Sequence, residues 1–184
     1  MAYNFTAFKQ GSEATIDWLK REYSGLRTGR AAPAILDTVS VEAYGSKTQI
    51  NALANINIED SRTIRIVPWD ATVAKAIETA IQQSNLGLSV STDERGLRIS
   101  FPMLTSDRRT ELAKVAKQKL EEARVRLRSE RQKVLNDLEK KEKDGEIGED
   151  EKTRGKNELQ KMVDEANRKL EELEGKKEAE ILEE

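Results

Sequence analysis

Residues 112–138 have the sequence LAKVAKQKLEEARVRLRSERQKVLNDL, and this stretch decides the fold. Its apolar side chains recur every three or four positions, as one face of an α-helix requires. They are Leu112, Ala116, Leu120, Ala123, Leu127, Val134 and Leu138. With Thr105 as a suitable N-cap, the pattern predicts a helix to about Lys143, ~57 Å long at 1.5 Å per residue. A helix this long cannot bury its apolar face alone, so it needs partner helices.

Two further segments can supply those partners. The sequence Asp144-Gly145-Glu146-Ile147-Gly148 breaks the long helix, and a second helix with a similar spacing follows it. Its apolar positions are Leu159, Val163, Ala166, Leu170, Leu173 and Ile181. Residues 1–30 form the third helix, which Gly29 ends, with Ile16, Leu19, Tyr23 and Leu26 on one face. Three such faces packed together predict a three-helix bundle.

The segment between these helices has a different pattern. In residues 31–104, apolar and polar side chains alternate in several short runs, which is typical of half-buried strands. A short helix with Val73, Ile77 and Ile81 interrupts them between Ala71 and Gln83. The sequence therefore predicts an α+β protein: a bundle of residues 1–30 and 105–184 with an inserted β/α/β domain of residues 31–104. The chain crosses between these domains twice, and paired crossings of this kind favour a hinge.

The composition excludes several function classes. The chain has 184 residues, 36% of them charged and 4% aromatic, with no Cys and no His. Disulfides, thiolate nucleophiles, Cys/His zinc sites and histidine bases are therefore excluded. We find no signal peptide, transit peptide or membrane segment in the sequence, which leads us to expect a cytoplasmic protein.

The net charge of −2 hides a basic stretch on the long helix. Residues 105–135 contain ten Lys or Arg against five Asp or Glu, whereas residues 171–184 contain two against seven. Arg124, Arg128 and Arg131 share one helix face, which Lys117 joins, beside the apolar stripe. Four cations on one side of a rod match a phosphate backbone, and no aromatic residues lie among them to stack on bases. A solvated helix face with i,i+4 ion pairs explains the same pattern equally well.

Two weaker motifs have ordinary structural explanations. Gly45-Ser46-Lys47-Thr48 lacks the contiguous Gly-Lys-Ser/Thr of a phosphate-binding loop, so we predict a hairpin turn there. The carboxylates at Glu146, Glu149, Asp150 and Glu151 do not have EF-hand spacing, and acids at a helix N-terminus are common. We therefore expect no metal site.

Five motifs in order along the chain resemble those of the bacterial ribosome recycling factor family. They are Leu26-Arg27-Thr28-Gly29-Arg30-Ala31, Asp60-Ser61-Arg62-Thr63, Leu86-Gly87-Leu88, Leu104-Thr105 with Arg108-Arg109, and Glu122-Ala123-Arg124 with Arg128 and Arg131. Each motif is weak alone. Their order inside a helix–sheet–helix–helix layout makes the resemblance specific, and it covers the whole chain.

The resemblance implies a function and a set of site residues. It implies an L-shaped molecule, similar in outline to transfer RNA, that binds the ribosome after termination. Together with elongation factor G and GTP, it would split the ribosome into subunits and release mRNA and tRNA. The implied contacts with large-subunit ribosomal RNA are Arg131, Arg128, Arg124 and Arg27, which join Lys117 of the basic face. The implied hinge residues are Thr28, Gly29, Arg30, Pro102, Met103, Leu104 and Thr105.

The same interpretation leads to several negative expectations. We expect no catalytic residue and no cofactor, because no nucleotide-binding loop is present and a partner must hydrolyse the GTP. We also expect a monomer that binds neither DNA nor membranes. Gln132 stands where relatives often have Arg, so we expect a weaker RNA contact there. Met103 stands where many relatives have Pro, so we expect a looser hinge.

Two other functions stay open from the residues alone. A coiled-coil adaptor or holdase would use the bundle to bind protein, and a carboxylate-dependent hydrolase is a more distant alternative. Salt dependence separates RNA binding from protein binding. Four phosphate contacts should give a slope of about −3 when the logarithm of the binding constant K is plotted against log salt concentration, at roughly 0.7 to 0.9 per contact.

Overall fold

The computed structural model describes residues 3–182. Within that range the chain forms four α-helices and six β-strands, together with three short 3₁₀ helices. The helices are α1 (Thr6–Ser24), α2 (Ala74–Gln83), α3 (Ser106–Lys143) and α4 (Glu149–Leu182). The strands are β1 (Ser40–Ala43), β2 (Ser46–Gln49), β3 (Ala54–Asp60), β4 (Thr63–Pro68), β5 (Ser89–Asp93) and β6 (Gly96–Ser100).

The described chain divides into two compact units. The helical unit comprises the chain up to Glu22 together with Lys114–Lys177, and so contains most of α1, α3 and α4. The sheet unit comprises Tyr23–Ala113 and the chain from Glu178 onward, and it contains all six strands and α2. The domain boundaries predicted at residues 30 and 104 stay a prediction.

In the helical unit, α3 runs antiparallel to both of its neighbours. Contacts with α4 pair Arg124 with Glu171 and Glu142 with Lys152, so that positions rise on one helix as they fall on the other. Contacts with α1 follow the same rule, because Lys119 lies 3.1 Å from Glu22 while Gly11 lies against Glu130. The shared core buries most of the predicted apolar face, whereas its members Ile16 and Leu173 are only half-buried. The fully or almost fully enclosed members are Leu19, Ala116, Ala123, Leu127, Leu138, Leu159 and Leu170.

The sheet unit is built from a hairpin and a four-stranded antiparallel sheet. Strands β1 and β2 pair with each other, and the larger sheet has the order β3-β4-β6-β5. Helix α2 buries Ile77 and Ile81 in a core that also contains Ile64 and Ile99 from the sheet. The predicted hairpin turn at Gly45 is confirmed, since β1 and β2 pair antiparallel on either side of Tyr44 and Gly45.

The opposite face of this sheet has an ion-pair cluster. Arg65 lies 2.7 Å from Asp93 and 3.3 Å from Glu59, and Arg98 lies 2.6 Å from Glu59. The hydrogen bonds from Arg98 and Arg65 hold the pKa of Glu59 below its ordinary value. Those from Arg65 and the Arg95 amide likewise lower the pKa of Asp93. Helix α2 packs on the other, apolar face of the sheet, so this face of charged side chains can remain in contact with solvent.

The first helix is shorter than predicted. We expected Gly29 to end it, but α1 ends at Ser24, directly before Gly25. Gly25 follows the last helical residue directly, and glycine is a poor helix former. Leu26 therefore lies beyond the helix, in a turn closed by its amide and the Tyr23 carbonyl at 3.2 Å. The 3₁₀ helix at Pro33–Thr38 was also not predicted.

Candidate nucleic-acid interface

Helices α3 and α4 form a groove that contains three of the predicted RNA-binding arginines. The groove has a volume of about 350 Å³, and buried Leu127 and Val163 supply its apolar floor. The α3 wall presents Arg124, Arg128 and Arg131, and the α4 wall presents Gln160, Asn167 and Glu171. The three arginines share a face because they lie at positions i, i+4 and i+7 of a continuous helix. The predicted stripe of cations is thus one side of a two-helix groove.

Arg124 is already paired with carboxylates. Its two terminal nitrogens donate to Glu121 on the same helix at 2.6 Å and to Glu171 on α4 at 2.7 Å. These hydrogen bonds raise the pKa of Arg124, with Glu121 as the larger cause. A phosphate would have to compete with both carboxylates for this guanidinium.

Arg128 and Arg131 differ from Arg124 in that their guanidinium groups are not paired with carboxylates within residues 3–182. Neither side chain has an ion pair or a hydrogen bond to any other part of residues 3–182. Arg128 is exposed and Arg131 is half-buried beside the groove. Since Arg presents a planar fork of donors that matches phosphate, these two side chains are the cations available to an anionic ligand. Lys117 is exposed on the same helix and does not line the groove.

Arg27 belongs to the sheet unit, where its guanidinium is engaged with the backbone. One terminal nitrogen donates to the Leu86 carbonyl at 3.0 Å and the other to the Pro102 carbonyl at 2.7 Å. Desolvation lowers the pKa of Arg27, and the nearby charge of Arg108 adds to the effect. Gly87 makes room for this arrangement, because a Cβ atom there would lie 2.6 Å from Arg27 Nη1. Arg27 therefore holds three backbone segments together within the unit.

The predicted hinge residues lie close to hydrogen bonds that anchor them to the sheet. The Ala31 amide donates to the Ser61 carbonyl at 2.8 Å, and the Phe101 amide donates to the Arg62 carbonyl at the same distance. The seven predicted hinge residues differ in burial. Thr28 is buried, Gly29 and Leu104 are half-buried, and the exposed ones are Arg30, Pro102, Met103 and Thr105. Thr105 also caps α3, since its hydroxyl accepts from the Arg108 amide at 3.2 Å. Motion at these residues stays a prediction.

Sequence analysis missed the α4 side of the groove. Gln160, Asn167 and Glu171 are common residue types at exposed helix positions, and nothing in their spacing distinguishes them. One signal was available, because an antiparallel register centred near residues 147 and 148 places residue 171 opposite residue 124. Reading that register would have predicted the Arg124–Glu171 pair.

The rest of residues 3–182 offers little alternative chemistry. No cluster of three or more acidic side chains in this range could hold a metal ion. None of the described helices is both long and apolar enough to cross a membrane. A second cavity, near Tyr3 and Phe5, is lined by charged residues of α4, and a third lies between α2 and β1.

The chain is similar to ribosome recycling factors in both sequence and structure. A sequence model of the family "Ribosome recycling factor" matches residues 19–182. The ribosome-recycling factor of Chloroflexus aggregans is 42% identical over 95% of this chain and 92% of its own length. A solution structure of the ribosome recycling factor superposes with a TM-score of 0.74 and 35% identity, covering 97% of this chain and 95% of that one.

A second solved structure shows such a factor together with other components. It presents the T. thermophilus ribosome recycling factor and E. coli elongation factor G bound to the E. coli post-termination complex. That factor is 39% identical to this chain, with a TM-score of 0.67 over 97% of this chain and 96% of its own. Sequence and structure thus agree over nearly the whole length, and the chain belongs to the ribosome recycling factor family.

Proposed function

We propose that this protein recycles ribosomes: it binds the post-termination ribosome and, with elongation factor G and GTP, splits it into subunits, releasing mRNA and tRNA. Family membership supports the reaction, since a relative of 39% identity has been placed on a post-termination complex with elongation factor G. The observation that carries the mode of binding is the groove, in which Arg128 and Arg131 are unpaired within the described chain.

The proposed RNA contact is centred on those two arginines. Both lie on the middle of a 38-residue helix that packs against two others, so the helix presents them from a rigid surface. A rigid cationic surface without aromatic residues favours contact with the phosphate backbone over base stacking. In this proposal Lys117 extends the contact along α3, Arg124 contributes after its carboxylates are displaced, and Arg27 contributes through the sheet unit.

The proposed mechanism is mechanical rather than catalytic. The chain has no Cys, no His and no nucleotide-binding loop, so GTP hydrolysis belongs to elongation factor G. This protein would supply binding energy and movement, and no residue of its own would form or break a covalent bond. Because the protein would act on ribosomes that have finished translation, we propose that it acts in the cytoplasm.

We further propose that Thr28, Gly29 and Arg30 on one crossing, and Pro102, Met103, Leu104 and Thr105 on the other, form a hinge. The anchoring bonds at Ala31 and Phe101 support this, because they fix the sheet ends of both crossings. A Cβ atom at Gly29 would meet no atom of the described chain within 4 Å, so Gly29→Ala should fold normally. We expect it to bind ribosomes as the unchanged protein does but to split them more slowly.

Salt titration of ribosome binding tests the proposed contact. Two or more phosphate contacts should give a slope in log K against log salt concentration of about −1.4 or steeper. A slope near zero would indicate that the bundle binds a protein surface instead.

A further inference from the structure

The α4 wall of the groove contains an amide side chain that has no partner among residues 3–182. Asn167 is half-buried, and its side chain makes no hydrogen bond to any residue in the described part of the chain. Its neighbour on the same wall, Gln160, donates from its amide nitrogen to Asp164 at 2.7 Å and keeps its amide oxygen as an acceptor. Both amides lie across the groove from Arg128 and Arg131.

The groove therefore combines three kinds of surface. Its floor is apolar, one wall has two cations that are unpaired within the described residues, and the other has neutral donors and acceptors. Its volume of about 350 Å³ is near the lower end of the range that small ligands occupy, roughly 300 to 1,000 Å³. A matching ligand has a compact anion next to neutral hydroxyl groups.

We propose that one ribose–phosphate unit of ribosomal RNA lies in this groove, with its phosphate on Arg128 and Arg131 and its ribose oxygens against Asn167. The inference rests on the proposed function and adds α4 to the RNA-binding surface. Asn and Gln side chains commonly bind phosphate and sugar oxygens, and the ribose 2′-hydroxyl both donates and accepts. An amide, which also does both, suits that hydroxyl.

The composition of the groove favours the backbone over a base as its occupant. None of the described residues that line it is aromatic, so an inserted base would find no ring among them on which to stack. The guanidinium plane of Arg124 is paired with Glu121 and Glu171, so a base that stacked on it would first have to displace both carboxylates.

Binding to purified large ribosomal subunits tests the proposal. We expect Asn167→Ala to bind about three- to tenfold more weakly, as the loss of one hydrogen bond implies, with an unchanged salt slope. Arg131→Ala should also weaken binding, but with a slope shallower by about 0.7 to 0.9. Asn157→Ala is the matched control, because Asn157 is exposed on the same helix and lines a different cavity.

The possible outcomes separate this inference from the proposed function. If Asn167→Ala binds like the unchanged protein while Arg131→Ala is weakened, the α4 contact is wrong and the RNA-binding arginines stand. If neither variant is weakened, the proposed RNA contact itself fails. If Asn157→Ala loses as much affinity as Asn167→Ala, the loss is a general helix effect and the inference is overturned.

A second measurement distinguishes RNA from ribosomal protein as the neighbour of Asn167. Because the chain has no Cys, Arg168→Cys gives a single attachment point for an iron chelate that generates hydroxyl radicals. We expect the bound protein to cleave large-subunit RNA at a short, defined set of nucleotides. Absence of RNA cleavage by a variant that still binds would overturn the proposal.

Discussion

The guanidinium of Arg124 on α3 donates a hydrogen bond of 2.7 Å to the carboxylate of Glu171 on α4. This contact links two helices at positions 47 residues apart and neutralises one of the three arginines of the groove. An exposed ion pair contributes only about 0 to 1 kcal/mol to stability, so its main effect here is on the charge that the groove presents. Arg128 and Arg131 then dominate the attraction for an anion.

We predict that Glu171→Gln strengthens ribosome binding. The change removes one of the two carboxylates that compete with phosphate for Arg124, so we expect affinity about two- to fivefold higher and a salt slope steeper by up to about 0.9. Equilibrium binding at several salt concentrations measures both. Glu172→Gln makes the same change in net charge at an exposed neighbour and should have a smaller effect. Equal gains from the two variants would show that pairing with Arg124 is irrelevant.

We predict that Arg131→Glu abolishes ribosome binding and leaves the fold intact. The substitution places a negative charge beside Arg128 and repels the phosphate that the site should attract. Since Arg131 has no ion pair within residues 3–182, unfolding free energy should change by less than about 1 kcal/mol. Pelleting with ribosomes measures binding, and urea unfolding measures stability. Lys140→Glu reverses a charge on the opposite side of α3, and ribosome affinity lost equally in both would argue against a defined site.

We predict that Gly87→Ala destabilises the protein by more than Gly45→Ala does. Both glycines have a positive φ, +66° and +76°, which costs an L-residue about 1 to 2 kcal/mol. Only at Gly87 would the new Cβ displace Arg27 from the carbonyls of Leu86 and Pro102, adding roughly 1 kcal/mol. Urea unfolding gives both values. In an Arg27→Ala background the extra loss should disappear, and its persistence would mean that Arg27 is not the group displaced.

We predict a pH-dependent effect of Glu59→Gln on thermal stability. Arg98 and Arg65 lower the pKa of Glu59 from its ordinary 4.5, so its ionised form stabilises the folded state. That stabilisation is present above about pH 4.5 and is lost as the pH falls through the lowered pKa. The variant should therefore melt below the unchanged protein at pH 7 and alongside it near pH 2. Exposed Glu94→Gln should change neither melting temperature, and an effect of Glu59→Gln that is independent of pH would contradict the ion-pair explanation.

The long helices were predictable because their sequence repeats one signal many times. The seven apolar residues of the predicted stripe from Leu112 to Leu138 indicated α3 as far as Lys143, and all seven are buried. The end of α1 was mispredicted because a single glycine decides it, and Gly25 and Gly29 are equally plausible terminators. The pairing of Arg124 with Glu171 is a contact between distant residues, and helix periodicity on α3 alone does not contain it.

The most direct test of the account is subunit splitting by the protein and by an Arg128→Glu, Arg131→Glu double variant. Post-termination ribosomes, elongation factor G and GTP are mixed with either protein, and sedimentation measures the fraction converted to subunits. We predict conversion with the unchanged protein and none above background with the variant, while circular dichroism shows equal helix content. Intact ribosomes after treatment with the unchanged protein, or equal splitting by the variant, would contradict the account.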